Sequence, residues 1–174
     1  MHQLLLLRHA KSSWDDQGVA DRARPLNRRG ERAAAAVGRA MSELGLVPGL
    51  ILASPARRSM QTLAALAPFP GRTRIETPEP LYLARVPDLF EILRSVAESV
   101  AGVLVIGHNP GLHELAVALV GESVPTADAE RLCQRFPTAA LAEFAIAGRW
   151  RDLGPGGARL VRLLLPRDLP EMAA

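Results

Sequence analysis

Four side chains in this sequence have the types and the placement to handle a phosphoryl group: Arg8, His9, Arg58 and His108. Arg8 and His9 directly follow the apolar run 4–7, residues 54–58 directly follow the run 50–53, and His108-Asn109 follow the run 102–106. A guanidinium offers phosphate oxygens a planar fork of N–H donors and offsets the charge that redistributes in a transition state. A neutral imidazole carries a lone pair that can attack phosphorus in line and hold the phosphoryl group covalently. The two histidines lie far apart in the chain, with no Cys or carboxylate ligands at metal-binding spacing. We therefore expect neither a metal nor a cofactor.

Residues so scattered need a framework that gathers them. The run 4–7, ended by Arg8-His9, reads as a strand buried on both faces, as in a parallel sheet. Residues 11–29 are polar, contain Gly18 and Pro25, and read as a long loop. The spacing of Ala33, Ala34, Val37, Ala40, Met41 and Leu44 predicts a helix over 30–45, stopped by Gly45. A strand is expected at 50–53, then a helix to about residue 67 with Ser54 as N-cap and Pro55 at its first position. A weak strand at 74–76, an amphipathic helix over 88–100 and a buried strand at 102–106 follow. The next helix would be capped by Asn109, with Pro110 at its first position. Residues 121–137 are expected to be loop with one short helix, and 139–146 and 158–165 to be two strands pairing as an antiparallel hairpin. This alternation implies one domain over 1–174, an α/β three-layer α/β/α sandwich with a mostly parallel central sheet and helices on both faces. In such sheets the ligand crevice lies at the carboxyl ends of the strands, which is where Arg8-His9, residues 54–58 and His108-Asn109 all fall.

Composition narrows the function. The chain has 174 residues, 48% of them apolar and 22% charged, which excludes an intrinsically disordered chain and suffices for a core without metal or disulfide staples. No apolar run is long enough to cross a bilayer, and the first is broken by Arg8, so neither a membrane partner nor a signal peptide is expected. The single cysteine, Cys133, excludes an internal disulfide and fits a reducing, cytoplasmic setting. The 21 basic and 18 acidic residues leave a net charge of +3, and Lys11 is the lone Lys. The arginines are interleaved with acids rather than gathered in a stripe, which argues against nucleic acid and for an anionic small substrate.

Four segments, in order and spacing, resemble the histidine phosphatase superfamily. Leu6-Leu7-Arg8-His9-Ala10-Lys11-Ser12-Ser13-Trp14 is similar to its R-H-G or R-H-A opening, and closely resembles the short SixA-type phosphohistidine phosphatases. Arg24-Pro25-Leu26-Asn27-Arg28-Arg29-Gly30, Ser54-Pro55-Ala56-Arg57-Arg58-Ser59-Met60-Gln61-Thr62 and Gly107-His108-Asn109-Pro110-Gly111 look like its three following motifs. The resemblance covers about residues 3–120 and implies a phosphoglycerate mutase-like fold. His9 matches the nucleophile, Arg8 the first phosphate-binding arginine and His108 the second pocket histidine. Counting back from Gln61-Thr62 puts Arg58, not Arg57, in the second arginine position; neighbours in a helix point about 100° apart, so one of them can face the pocket. Ser12 and Asp15 match positions lining the phosphate pocket, with Asp15 standing where the mutase branch has Asn, and Asn109 is a further candidate substrate-binding residue. Glu79, three residues before Tyr82, has the offset of the acid that many relatives carry, and is the candidate general acid; as a solvated loop residue it has an equal structural explanation.

The resemblance thus implies a metal-independent phosphatase acting on phosphohistidine or a small phosphomonoester through a phosphohistidine intermediate on His9. Its partner would be a phosphorylated small molecule or a phosphohistidine-bearing protein. Two alternatives stay open: a phosphoglycerate mutase-like phosphotransferase, and a non-catalytic phosphate- or phosphoprotein-binding module, which would keep the arginines but lose a histidine.

Overall fold

Four consecutive leucines, Leu4, Leu5, Leu6 and Leu7, have no exposed surface at all. Each buried leucine contributes on the order of 1.5–3 kcal/mol relative to exposure, so such a run is stable only in a strand covered on both faces. The computed structural model, which describes residues 1–15, 18–69, 71–121 and 126–172, places them accordingly. The elements in order are β1 His2–Arg8, α1 Arg28–Glu43, β2 Leu50–Ala53, α2 Arg57–Leu66, β3 Arg74–Glu76, α3 Val86–Arg94, β4 Gly102–Gly107, α4 Gly111–Val120, α5 Ala127–Gln134, β5 Leu141–Ile146 and β6 Arg159–Leu164. They form one six-stranded sheet in the order β3-β2-β4-β1-β5-β6. The pairs from β3 to β1 are parallel, and β5 joins β1 and β6 antiparallel.

Alternation along β1 divides the interior. Leu5 and Leu7 pack with α1 and α2 residues such as Val37, Met41 and Leu63. Leu4 and Leu6 pack on the other face with α3, α4 and α5 residues such as Leu93, Leu115 and Leu132. The result is the three-layer α/β/α sandwich expected. Asn27 caps α1 by accepting from the Gly30 backbone N–H at 2.8 Å. Gly30 is required there for space, because a Cβ would stand 2.1 Å from the Lys11 carbonyl oxygen.

Several boundaries differ from the sequence reading. The second helix begins at Arg57 with Ala56 as its N-cap, so Ser54 does not cap it and Pro55 precedes it. The fourth begins at Gly111 with Pro110 as N-cap, so Asn109 is not a cap either. Ser54 Oγ accepts from His108 Nε2 at 2.6 Å and from the Ala56 N–H at 3.3 Å, and Asn109 donates to the Phe136 carbonyl. The third helix runs Val86–Arg94 and stops short of residue 100; Val96 keeps the apolar period by packing into the same core from irregular backbone.

Candidate active site

The strand ends meet as the topology requires. The His9 backbone N–H donates to the Gly107 carbonyl at 3.1 Å and the Arg8 N–H to the Ala140 carbonyl at 3.1 Å, so the end of β1 is held by β4 on one side and by the lead-in to β5 on the other. The next residue is held by α2: Thr62 Oγ1 accepts from the Ala10 N–H at 3.0 Å and donates to the Arg58 carbonyl at 2.7 Å. Gln61 Oε1 accepts from the Leu26 N–H at 2.8 Å. Gln61 and Thr62 therefore tie the two pocket loops to the helix that carries Arg58.

Arg58 bridges the two histidines. Its Nε donates to His9 Nε2 at 3.2 Å and its Nη2 to His108 Nδ1 at 3.2 Å, and the imidazole centroids lie 5.0 Å apart. A guanidinium can only donate, so these contacts assign the tautomers. His9 carries its proton on Nδ1, donated to the Ala10 carbonyl at 2.7 Å, and presents the Nε2 lone pair to the cleft. His108 carries its proton on Nε2, donated to Ser54 Oγ at 2.6 Å.

Burial keeps both rings neutral. It lowers the His9 pKa to about 4 against the opposing Ala10 hydrogen bond, and the Arg58, Arg8 and Arg24 charges add to the shift. It lowers that of His108 to about 3, helped by His9 and Arg58. Arg8 donates from Nη1 to the Phe136 carbonyl at 3.1 Å, while its Nε is buried with no protein partner among the described residues. Arg58 is 4% exposed, whereas its neighbour Arg57 is exposed to solvent.

A second tier of residues was not assigned from the sequence. Asp21 accepts from Arg58 Nη2 at 3.0 Å, from Arg24 Nη1 at 3.1 Å and from the Tyr82 hydroxyl at 2.7 Å. Partial burial alone would raise its pKa; the Tyr82 and Arg58 hydrogen bonds and the surrounding cations outweigh this and hold it below the usual carboxylate range. Arg24 also donates to Ser12 Oγ and stacks on Trp14, its guanidinium carbon 3.2 Å from the ring centroid. The signal for Arg24 was its place at the head of the second motif. Asp21, Tyr82 and the Ser54–His108 bond had no comparable signal.

The other candidates are placed as follows. Ser12 and Asn109 line the cleft with Arg8, His9 and Arg58. Asn109 Nδ2 donates to the Phe136 carbonyl at 2.8 Å. Asp15 is exposed, accepts from Ser13 Oγ at 2.7 Å and is not a lining residue. Glu79 is paired with Arg22 at 2.6 Å; that hydrogen bond holds its carboxyl below the usual range, and it too lies off the cleft lining. Among the described residues no group of three or more His, Cys, Asp or Glu is placed to hold a metal ion, and no helix is long and apolar enough to cross a membrane.

Comparison with known proteins agrees with this geometry. Residues 4–81 match the model of the histidine phosphatase superfamily (branch 1). A protein of Mycobacterium tuberculosis without an assigned function is 38% identical over 166 residues, spanning 92% of this chain and all of the relative. A solved structure from Agrobacterium tumefaciens, proposed to be the phosphohistidine phosphatase SixA, superposes with a TM-score of 0.81 at 29% identity, covering 95% of this chain and 98% of that one. One of the same assignment from Nakamurella multipartita does so with a TM-score of 0.81 at 28% identity, covering 95% and 96%. With four motifs converging on one rim and relatives matching along nearly the whole length, this chain belongs to the histidine phosphatase superfamily.

Proposed function

We propose that the chain is a phosphatase that hydrolyses phosphohistidine, or a small phosphomonoester, through a phosphohistidine intermediate on His9. One observation carries the reading: a neutral His9, its Nδ1–H fixed on the Ala10 carbonyl, turns Nε2 into a cleft flanked by Arg8 and Arg58. An arriving phosphoryl group takes over the N–H donors of Arg58 that now hold His9, and Arg8, which lines the same cleft, adds a second guanidinium. Nε2 attacks phosphorus as the bond to the leaving group breaks, forming N–P and releasing the leaving group with a proton. Water then attacks phosphorus, the N–P bond breaks, and phosphate departs with His9 neutral again. Burial is the first cause of the low His108 pKa and the Arg58 charge adds to it, so His108 stays neutral beside the phosphoryl group, its Nδ1 accepting from Arg58.

The choice of leaving group follows from the acid. Glu79 is ionised and bound to Arg22, and Asp21 is held ionised by its donors. Expelling an alkoxide needs a positioned proton donor, whereas a phosphohistidine's leaving nitrogen can carry its own proton near neutral pH, the imidazole reference pKa being about 6.5. The expected order in kcat/KM is phosphohistidine, activated aryl phosphate, alkyl phosphate. The same argument gives less support to the mutase alternative.

The test is rapid acid-free quenching after mixing with a 32P-labelled phosphohistidine peptide or aryl phosphate. Acid-labile, base-stable label on the wild-type chain, absent in His9→Ala, is the expected result. Turnover retained by His9→Ala, or a preference for phosphoglycerate that collapses in Glu79→Gln, overturns it.

A further inference from the structure

The cleft is far larger than one phosphoryl group requires. Its volume is about 660 Å³, within the range of roughly 300–1,000 Å³ that holds whole small molecules. Its lining is also unevenly charged: seven cationic side chains and one carboxylate, in a chain whose net charge is only +3. The one carboxylate, Asp21, is already engaged by Arg58 and Arg24.

Arg8 and Arg58 are accounted for by the transferring group, and Arg24 by Ser12, Asp21 and Trp14. Lys11, Arg29, Arg135 and Arg167 remain. They come from separate parts of the chain: the loop after β1, the first turn of α1, the segment after α5 and the turn after β6. Lys11, Arg29 and Arg135 have no acidic partner among the described residues, and Arg167 has only a loose contact with Asp168 at 3.5 Å, an aspartate bound more closely by Arg131. Cations that repel one another and lack counter-charges, yet face one cavity, are matched by a polyanion.

We infer that Arg29, Arg135 and Arg167, with Lys11, form a second anion subsite in the same cleft, and that among small phosphorylated molecules the cleft selects those carrying at least one further phosphate-class group besides the one that His9 takes. This substrate class rests on the phosphatase reading above. All four are exposed at the mouth of the cleft, and because separate segments contribute them to one rim, a small polyanion seated there reaches them together. Trp14 at the same rim is 74% exposed.

Direct calorimetric binding of orthophosphate and of tripolyphosphate, at equal ionic strength near 0.15 M, tests this. Tripolyphosphate should bind at least roughly tenfold more tightly than orthophosphate, the scale of two exposed charge pairs. In the triple variant Arg29→Gln, Arg135→Gln, Arg167→Gln the ratio of the two affinities should fall towards one. The control triple variant Arg74→Gln, Arg149→Gln, Arg159→Gln, with the same change in net charge away from the cleft, should keep the wild-type ratio. Equal affinities in the wild type, or equal loss in the two variants, overturns the subsite. A poly-glutamate peptide that binds in an Arg29-, Arg135- and Arg167-dependent way while tripolyphosphate gains nothing overturns it in favour of an acidic protein surface. These readouts do not depend on turnover: a chain that shows the tripolyphosphate preference but hydrolyses no phosphate loses the phosphatase reading and keeps the anion subsite.

Discussion

Asp21 is paired with Arg58 at 3.0 Å, through the same guanidinium that holds His9 at 3.2 Å. The carboxylate orients Arg58 and at the same time competes with any phosphoryl group for its donors. Its side chain is 48% exposed, so solvent screens the pair and its charge is worth about 1 kcal/mol at most. Asp21→Asn keeps an acceptor and removes the charge. Inhibition by orthophosphate should therefore strengthen, by roughly three- to fivefold. Unchanged or weaker inhibition would show that Asp21 only orients.

Arg58→Ala should lower kcat/KM by roughly 10²-fold or more, by analogy with the loss of one oxyanion donor, while Arg57→Ala should stay within about threefold of wild type. The difference follows from burial: Arg58 contacts both histidines, and Arg57 faces solvent. Steady-state kinetics on an aryl phosphate decide it, and equal effects would reverse the assignment.

The pH dependence has a definite sign. The His9 pKa is lowered to about 4, so kcat/KM, corrected for the substrate's own ionisation near pH 6, should be flat down to about pH 5 and fall only as His9 takes a proton. Stability is linked to the same groups. His9 and His108 both have folded pKa values below the unfolded reference of about 6.5, so below that pH the unfolded chain binds more protons. Stability contributed by their neutrality is present near pH 7 and lost as pH falls from about 6.5 towards 4. Denaturant titrations at pH 7 and pH 4.5 should show a smaller loss for the double variant His9→Gln, His108→Gln than for wild type. An enzyme limb centred at pH 6.5 would contradict the burial argument.

Gly30→Ala should be costly, because its Cβ would press on the Lys11 carbonyl at 2.1 Å. Relief requires the loop after His9 to move. We expect a loss of about 1–3 kcal/mol in chemical denaturation, typical of overpacking, together with a raised KM. A variant as stable as wild type would mean that the loop yields freely.

The sequence made some of this legible and hid the rest for physical reasons. Residues 4–7, 50–53 and 102–106 are apolar runs because β1, β2 and β4 are covered on both faces, and the motif ends of those runs locate the rim. Ser54 and Asn109 looked like helix caps, since their side chains suit that role; tertiary bonds to His108 and to the Phe136 carbonyl override the local preference. Asp21 and Tyr82 sit in segments with no periodicity to read, and only the folded chain shows them joined at 2.7 Å. Arg135 and Arg167 reach the cleft through the antiparallel end of the sheet, which residue spacing does not reveal.

The strand that leads into His9 is made well before either of its partners. β1 occupies the interior of the sheet, but its two neighbours are β4, beginning at Gly102, and β5, beginning at Leu141. During synthesis, the four leucines of β1 leave the ribosome well before either partner exists. Pairing over such sequence separations is slow to nucleate, since loop-closure entropy is lost before the contacts form. The fold is therefore completed only after residues 141–146 have emerged. Until then the leucine segment remains exposed to chaperones and to other chains, and the residues of the cleft stay unassembled on the nascent polypeptide.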